Sequence, residues 1–184
     1  DKNGNVVYTH FGEGHYSETE NNIRILLGIN ESVVSDEDNK SENSNIHITP
    51  ETYLGYQRSK NFTGKEGAVI NEMVDFKFPK FLPADHWALS GAWKIEGQNI
   101  TSLAPAAGLQ LNFTAKKVFL VLGSASGKSI SVKLSLNGEV LGNELAVKDH
   151  TLYELVDQQT VKNSLLEITA GDAGLEAYAF TFGE

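Results

Sequence analysis

Aromatic side chains stand beside polar ones at two places in this sequence. The run Thr52-Tyr53-Leu54-Gly55-Tyr56-Gln57-Arg58 places two tyrosines three residues apart next to an arginine, and a second run holds two tryptophans. An aromatic ring stacks on the apolar face of a sugar, while an arginine or a carboxylate binds its hydroxyl groups. These features predict a ligand-binding set of Tyr53, Tyr56, Arg58, Trp87, Trp93 and Glu176. The alternative is that the rings fill a hydrophobic core.

Two acidic residues near the C-terminus are candidate metal ligands. Asp172 and Glu176 carry carboxylate oxygens, the ligand type that calcium takes. The alternative is a turn acid and a charge at the rim of the fold. The acidic run 36–38 lacks the Gly and the terminal Glu of a calcium loop, so we assign it to a solvated linker. No cofactor other than calcium is predicted.

Catalytic motifs are missing from the sequence. It has no Gly-rich phosphate loop, dinucleotide fingerprint, nucleophile elbow or HExxH helix. It has no cysteine either, which excludes thiol chemistry and disulfides within these residues. We predict that the chain is not an enzyme by itself. The alternative is a hydrolase that uses two carboxylates, but the spacing does not show which two would meet among Glu51, Asp85, Asp172 and Glu176.

The five histidines are scattered, and none stands at metal-ligand spacing from another. We expect surface or structural roles for all of them, which are His10, His15, His47, His86 and His150.

Charge and hydropathy argue against nucleic-acid binding and against a membrane-spanning helix. The chain has 24 acidic and 15 basic residues, a formal net charge of -9, and no basic cluster denser than Lys116-Lys117. We therefore expect no nucleic-acid binding. The longest apolar run, 118–122, is far shorter than the roughly 20 residues of a membrane-spanning helix, so we expect no span in this chain.

Residues 49–184 show the pattern of short strands. Apolar and polar residues alternate over 130–136, and this run ends at Asn137-Gly138, a strong hairpin signal. The same period of two recurs over 109–113 and 178–182. Many short strands without a convincing helix predict a mostly β fold, an antiparallel β-sandwich of the jelly-roll type.

Residues 1–29 form a separate unit, followed by a polar linker over 30–48. A turn at 1–4 leads into a β-rich run over 6–11, and a capping-box sequence at 17–20 precedes a helix that stops at Gly28. One strand and one helix do not bury a core alone, so we expect this unit to dock on a part absent from the sequence or on the domain that follows. Because the sequence opens without Met on Asp1-Lys2-Asn3-Gly4, which is typical of the middle of a hairpin turn, we expect the chain to be a piece of a longer protein. An unpaired strand edge and a bare helix face would also favour a homodimer, which a monomeric mass by light scattering would contradict.

Several stretches in order along the chain resemble one known family. The C-terminal region of DipZ-type thiol:disulfide interchange proteins is similar to Thr49-Pro50-Glu51-Thr52-Tyr53-Leu54-Gly55-Tyr56, Leu82-Pro83, the run 86–93 and the run 174–183. Residues 4–8, 12–14 and 16–20 resemble the last strand and helix of the thioredoxin-like domain that precedes it.

The resemblance implies an architecture and a place in the cell. It implies a membrane domain, an extracytoplasmic thioredoxin-like domain with a Cys-x-x-Cys motif, and a jelly-roll domain similar to carbohydrate-binding modules. In this chain it implies a thioredoxin-like remnant at 1–29, a linker at 30–48 and a jelly roll at 49–184. Because the chain lacks cysteine, disulfide exchange is assigned to none of its residues.

Two functions remain open on the sequence. The first is a non-catalytic accessory module that binds carbohydrate or an envelope surface for the redox protein. The second is an interdomain or protein-interaction domain that shapes the access of protein substrates to the redox domain without binding sugar.

Overall fold

A computed structural model describes residues 1–9, 16–29, 47–64, 67, 69–142 and 144–183. The chain divides into two compact units, Asp1–Asn45 and Ile46–Glu184.

The first unit begins with the turn that the sequence predicts. The Gly4 amide donates to the Asp1 carbonyl at 2.9 Å, and Asp1 Oδ1 accepts from the Asn3 and Asn5 amides, both at 2.9 Å. The β-rich run predicted over 6–11 is not a strand where it is described, at 6–9. A strand forms hydrogen bonds to a neighbouring strand, and the described part of this unit offers none. The rest of that run, at 10 and 11, lies outside the described residues.

The predicted helix is confirmed as α1, Tyr16–Leu27. It ends where expected, because Gly28 adopts a φ of 73° and donates to the Ile25 carbonyl at 3.0 Å, while Ile29 donates to Arg24 at 2.9 Å. This pair of bonds is the Schellman motif. None of the helix residues is buried. Among the described residues, no helix has both the length and the apolar character that crossing a membrane requires.

The second unit consists of ten strands, and every pairing between them is antiparallel. In chain order they are β1 Thr52–Tyr53, β2 Met73–Phe76, β3 Trp87–Ile95, β4 Ile100–Ser102, β5 Gly108–Ser124, β6 Ile130–Leu136, β7 Glu139–Val140, β8 Leu145–Val147, β9 Thr151–Ala170 and β10 Leu175–Gly183. The mostly β prediction is confirmed.

The two longest strands join the two layers of a sandwich. Strands β5 and β9 pair from Gly108 opposite Thr169 to Leu122 opposite Thr151. The first part of β5 also pairs with β3, and its last part pairs with β10. Since β10 in turn pairs with β4 and β4 with β3, the strands wrap around one core. This is the antiparallel β-sandwich that the alternating pattern predicts.

Burial follows the predicted period of two in β5 and β6. Leu109, Leu111 and Phe113 are buried in β5, and β6 buries alternate residues from Ile130. The hairpin after β6 is also confirmed, since φ is 52° at Asn137 and 86° at Gly138, as a type I′ turn requires.

The alternation predicted over 178–182 fails at one end. The register of β10 against β5 shifts between Ala177 and Phe180, and both of these residues are buried. Two residues of β10, Tyr178 and Ala179, therefore stand opposite one residue of β5, which is a bulge of one extra residue. As a result Tyr178 does not continue the core face on which Phe180 and Phe182 stack, with ring centroids 6.5 Å apart.

The I′ turn gives a stability test. Nothing lies within 4 Å of a Cβ placed on Gly138, so Gly138→Ala meets only the cost of a positive φ. We expect it to lower the free energy of unfolding by about 1 kcal/mol. Urea denaturation measures this, with Ser129→Ala at an exposed position as the control. An unchanged midpoint for Gly138→Ala would contradict the turn.

Candidate functional site

Two adjoining clefts open on the second unit, with volumes of about 410 and 250 Å³. Both are lined by Tyr53 and Arg58. The larger cleft adds the polar residues Glu51, Lys60 and Asn61. The smaller cleft adds Gln57, Gln98 and Tyr178. The structure thus brings together two of the predicted ligand-binding residues, Tyr53 and Arg58.

Arginine and tyrosine are stacked at the centre of this site. The guanidinium carbon of Arg58 lies 3.4 Å from the centroid of the Tyr53 ring. The Tyr53 hydroxyl donates to Glu51 Oε2 at 2.5 Å. This hydrogen bond, followed by partial burial, raises the pKa of Tyr53, although the Arg58 charge opposes the effect. The phenol therefore stays a neutral donor, and its ring supports a cation.

Backbone hydrogen bonds position this pair. Strand β1 pairs with β10, and the Leu54 amide extends the ladder to the Tyr178 carbonyl at 2.9 Å. The chain then turns over 55–58, where the Arg58 amide donates to Gly55 at 3.1 Å. The Leu54 side chain is fully buried, which anchors the turn to the core.

A second turn, 96–99, holds the first one in place. The Tyr56 amide donates to the Glu96 carbonyl at 2.9 Å, and the Gln57 amide donates to Gly97 at 3.0 Å. Glu96 is itself held by Lys94 at 2.7 Å and by the Thr101 hydroxyl at 2.7 Å, and these hydrogen bonds lower the pKa of Glu96. The smaller cleft is thus framed by two turns that are bonded to each other.

Trp87 supports the far wall of the larger cleft from inside the core. Its side chain is fully buried, so its prediction as a stacking residue is wrong. The indole Nε1 donates to the Lys60 carbonyl at 2.9 Å, and the Trp87 amide donates to Asn61 at 3.1 Å. The ring also packs against Phe62, with centroids 4.6 Å apart. A large ring with one polar atom satisfies both its apolar area and its N–H by lying under this loop.

Trp93 and Tyr56 do not line the two clefts either. Trp93 is 1% exposed and donates its indole N–H to the Ser90 carbonyl at 2.9 Å, so its prediction as a ligand-binding residue is also wrong. Tyr56 is half-buried and packs on the core, and its hydroxyl accepts from Asn71 Nδ2 at 3.4 Å. Both rings follow the alternative that the sequence left open, a role in packing.

Glu176 belongs to a neighbouring polar cluster. Its Oε2 lies 2.5 Å from His150 Nε2, and the Tyr178 hydroxyl donates to the same atom at 3.4 Å. The His150 ring lies against Gly123, where a side chain would overlap it. Burial raises the pKa of Tyr178 first, and the charge of Glu176 raises it further. Tyr178 connects this cluster to the smaller cleft.

The geometry does not support the predicted calcium site. Among the described residues, no three His, Cys, Asp or Glu side chains come together as a metal would require. The carboxylate of Glu176 binds His150 instead, and the backbone carbonyl of Asp172 accepts from Ser102 Oγ at 3.3 Å.

The carboxylates considered for hydrolysis have different partners. Glu51 binds Tyr53 and Glu176 binds His150. Asp85 accepts from Thr49 Oγ1 at 2.6 Å and lies 2.6 Å from His47 Nε2.

The described histidines have separate hydrogen-bond partners. His86 binds Thr63 Oγ1 at 2.8 Å. The remaining histidines, His10 and His15, lie outside the described residues.

Several residues that line the clefts were not among the predicted site residues. Lys60 and Asn61 follow closely after Arg58, so their proximity in the chain was an available signal. Gln98 and Tyr178 come from distant turns and strands and carried no such signal. The bulge in β10 decides where Tyr178 points, and an alternating pattern does not reveal it.

The contact between the two turns gives a matched pair of glycine substitutions. A Cβ on Gly55 would overlap the backbone of Gln98 and lie 2.5 Å from the Asn99 amide nitrogen, whereas a Cβ on Gly97 meets only the flexible Gln57 side chain, at 3.1 Å. We expect Gly55→Ala to lower the free energy of unfolding by about 1–3 kcal/mol and Gly97→Ala to cost less. Urea denaturation compares them, and equal costs would disprove the close packing of the turns.

The raised pKa of Tyr178 gives a test by pH. Unfolded tyrosine ionises near pH 10, so a raised pKa in the folded chain stabilises it below about pH 10 and is lost as the pH rises further. We expect the free energy of unfolding to fall as the pH rises above about 10, and to fall less steeply in Tyr178→Phe. Tyr16→Phe, on exposed α1, is the control. Parallel pH curves for the Tyr178→Phe variant and the parent chain would contradict the shift.

The comparisons with known proteins agree on one family. A family model described as "Thioredoxin like C-terminal domain" matches residues 49–183. Protein DipZ of Mycobacterium tuberculosis (strain CDC 1551 / Oshkosh) and Protein DipZ of Mycobacterium bovis are each 28% identical over 193 aligned residues. The alignment covers 100% of this chain and 26% of each relative, so the chain spans about a quarter of their length.

Solved structures show more distant likenesses. A family 35 carbohydrate binding module from Clostridium thermocellum superposes with a TM-score of 0.37 and 8% identity, over 73% of this chain and 99% of that one. A family two carbohydrate esterase from Clostridium thermocellum, in complex with cellohexaose, gives a TM-score of 0.42 and 15% identity over 47% and 27%. Likeness at this level demonstrates neither a shared site nor a shared ligand. The family match covers most of the chain, which therefore belongs to the thioredoxin-like C-terminal domain family and corresponds to the C-terminal region of DipZ-type proteins.

Proposed function

We propose that this chain is a non-catalytic accessory module of an extracytoplasmic thiol:disulfide interchange protein, and that it binds a saccharide in the clefts around Tyr53 and Arg58. The observation that carries the proposal is the pair of adjoining clefts with a stacked arginine and tyrosine at their shared wall.

The lining of the clefts suits a ligand with many hydroxyl groups. The side-chain amides of Gln57, Gln98 and Asn61 both donate and accept hydrogen bonds, and Glu51 adds carboxylate oxygens. Concave sites of this size bind small molecules when a few polar groups fix the orientation of the ligand. A saccharide presents several hydroxyl groups around a ring, each of which both donates and accepts a hydrogen bond, and such a lining can pair with them.

Arg58 changes how Tyr53 would take part. Because the guanidinium covers one face of the Tyr53 ring, that face is not free to stack on a sugar. The N–H groups at the edge of the guanidinium are then the groups presented to the ligand, and stacking holds them in one plane. A group that is already ordered loses less conformational entropy on binding.

The place of the module in a longer protein is part of the proposal. We assign 1–29 to the end of a thioredoxin-like domain, 30–48 to a linker and 49–184 to the sandwich domain. The chain has no cysteine, so thiol exchange would belong to other residues of the parent protein. The module would bring that redox domain to glycans on the outer face of the membrane.

A second candidate is a protein-interaction domain without sugar affinity. The observation that favours it is strand β2, which pairs with β3 and exposes Met73 (71%) and the nearby Ile70 (48%). An exposed apolar strand at the edge of a sheet is a surface on which another protein can pack.

A glycan array tests the proposal. The folded chain is expected to give a saturable hit, confirmed in solution by tryptophan fluorescence. Arg58→Ala and Tyr53→Ala are expected to weaken binding by about tenfold or more. The first removes a charge-assisted hydrogen bond to the ligand, and the second removes the ring that holds Arg58 in place. The exposed Lys128, in a loop that lines neither cleft, gives the control Lys128→Ala.

The outcomes separate the two candidates. A hit that survives both cleft substitutions would place the binding site elsewhere. Silence across the array from a folded chain would favour the protein-interaction domain.

A further inference from the structure

We propose that the ligand of the larger cleft is an acidic saccharide, whose uronic-acid carboxylate binds between Arg58 and Lys60. This inference rests on the proposed function and adds the charge of the ligand. It assigns the carboxylate to the two cations and the sugar hydroxyls to the surrounding amides and Glu51.

The larger cleft contains two cations that have no carboxylate partner in the described part of the chain. Arg58 and Lys60 both line it, and neither forms an ion pair there. Two lysines of the sandwich do form ion pairs, since Lys94 in β3 binds Glu96 at 2.7 Å and Lys117 in β5 binds Asp157 at 3.0 Å. Two unpaired cations in one concavity attract an anion, although the chain carries a net charge of -9.

The one carboxylate in this cleft does not neutralise them. Glu51 accepts the Tyr53 hydroxyl at 2.5 Å and makes no ion pair with Arg58 or Lys60. With Arg58 and Lys60 against Glu51, the charged lining amounts to two positive groups and one negative group. Glu51 can also accept hydrogen bonds from the hydroxyl groups of a sugar, and an inorganic anion has no such hydroxyl groups.

The guanidinium of Arg58 has the geometry that a carboxylate requires. The guanidinium lies over the Tyr53 ring and also interacts with the Tyr53 hydroxyl, but it has five N–H donors and no carboxylate partner among the described residues. The planar fork of an arginine binds a carboxylate through two parallel hydrogen bonds. Both cations stand on backbone that is held in place, Arg58 by its bond to Gly55 and Lys60 by the indole N–H of Trp87.

The neighbouring amides favour a sugar over a bare acid. Asn61 lines the same cleft, and Gln57 and Gln98 continue the polar lining into the smaller one. A uronic acid presents its carboxylate and its hydroxyls from one ring, so that the cations and the amides can be engaged together. A short acidic peptide offers carboxylates and backbone amides but no ring of hydroxyls, so a triglutamate peptide is the probe that separates the two ligand types.

Calorimetry on the full chain tests the charge of the ligand. The probes are trimers of galacturonate, glucuronate and mannuronate, the methyl esters of the same trimers, and the matching neutral sugars. We expect at least one acidic trimer to bind about tenfold more tightly than its ester, as charge-assisted hydrogen bonds imply. Raising the salt concentration should weaken this binding more than that of the ester.

The variants locate the carboxylate. Arg58→Gln and Lys60→Gln are expected to reduce the preference for acid over ester to about twofold or less, since each removes one cation. Lys128→Gln, which removes an exposed cation elsewhere, should leave the preference unchanged. Urea denaturation of each variant shows whether it is folded.

Three results would overturn the inference. If esters or neutral trimers bind as tightly as the acids, the cleft binds sugars without regard to charge and the proposed function stands alone. If a triglutamate peptide binds as tightly as the acidic trimers, the cleft recognises carboxylates outside sugars. If no acidic trimer binds and the glycan array is silent, the proposed function falls with the inference.

Discussion

The pairing of β5 with β9 is the constraint on which the second unit depends. These strands contain 17 and 20 residues, and they stay hydrogen-bonded from Gly108 and Thr169 to Leu122 and Thr151, with two local shifts of register. Because β5 also borders β3 at one end and β10 at the other, this ladder determines how the two layers face each other. The core between the layers then determines which faces of β1 and β10 are left for the clefts.

Core and site are coupled through Trp87. A side chain that is fully buried usually contributes only packing, but the indole N–H of Trp87 and its backbone amide hold the carbonyls of Lys60 and Asn61. The wall of the larger cleft is therefore hydrogen-bonded to the core beneath it. The opposite side depends on the contact between the turns 55–58 and 96–99, where Gly55 lets two backbones meet. Backbone that is held by hydrogen bonds on both sides suits a site in which a ligand would be recognised by the direction of its hydrogen bonds.

The site uses charge sparingly in an acidic chain. Over the two clefts together most of the polar lining residues are neutral, and the cations of the larger cleft stand near a carboxylate that already accepts a hydrogen bond from a phenol. Arg58 is the central group because it covers the Tyr53 ring and lines both clefts. Because Arg58 covers one face of the Tyr53 ring, that face is not available to stack on a sugar, although Tyr53 lines both clefts.

The sequence by itself determined the mostly β class, the alternation in β5 and β6, the hairpin at Asn137-Gly138 and the helix that ends at Gly28, because local periodicity and turn chemistry act within a few residues. It also placed Tyr53 and Arg58 in one candidate set. Only the tertiary structure decided that Trp87 and Trp93 are buried, that Glu176 binds His150, and that Gln98 and Tyr178 join the site. The physical reason is that burial and cleft formation depend on which distant strands pair and on a bulge in β10. The local pattern of apolar and polar residues reveals neither the strand pairing nor the bulge.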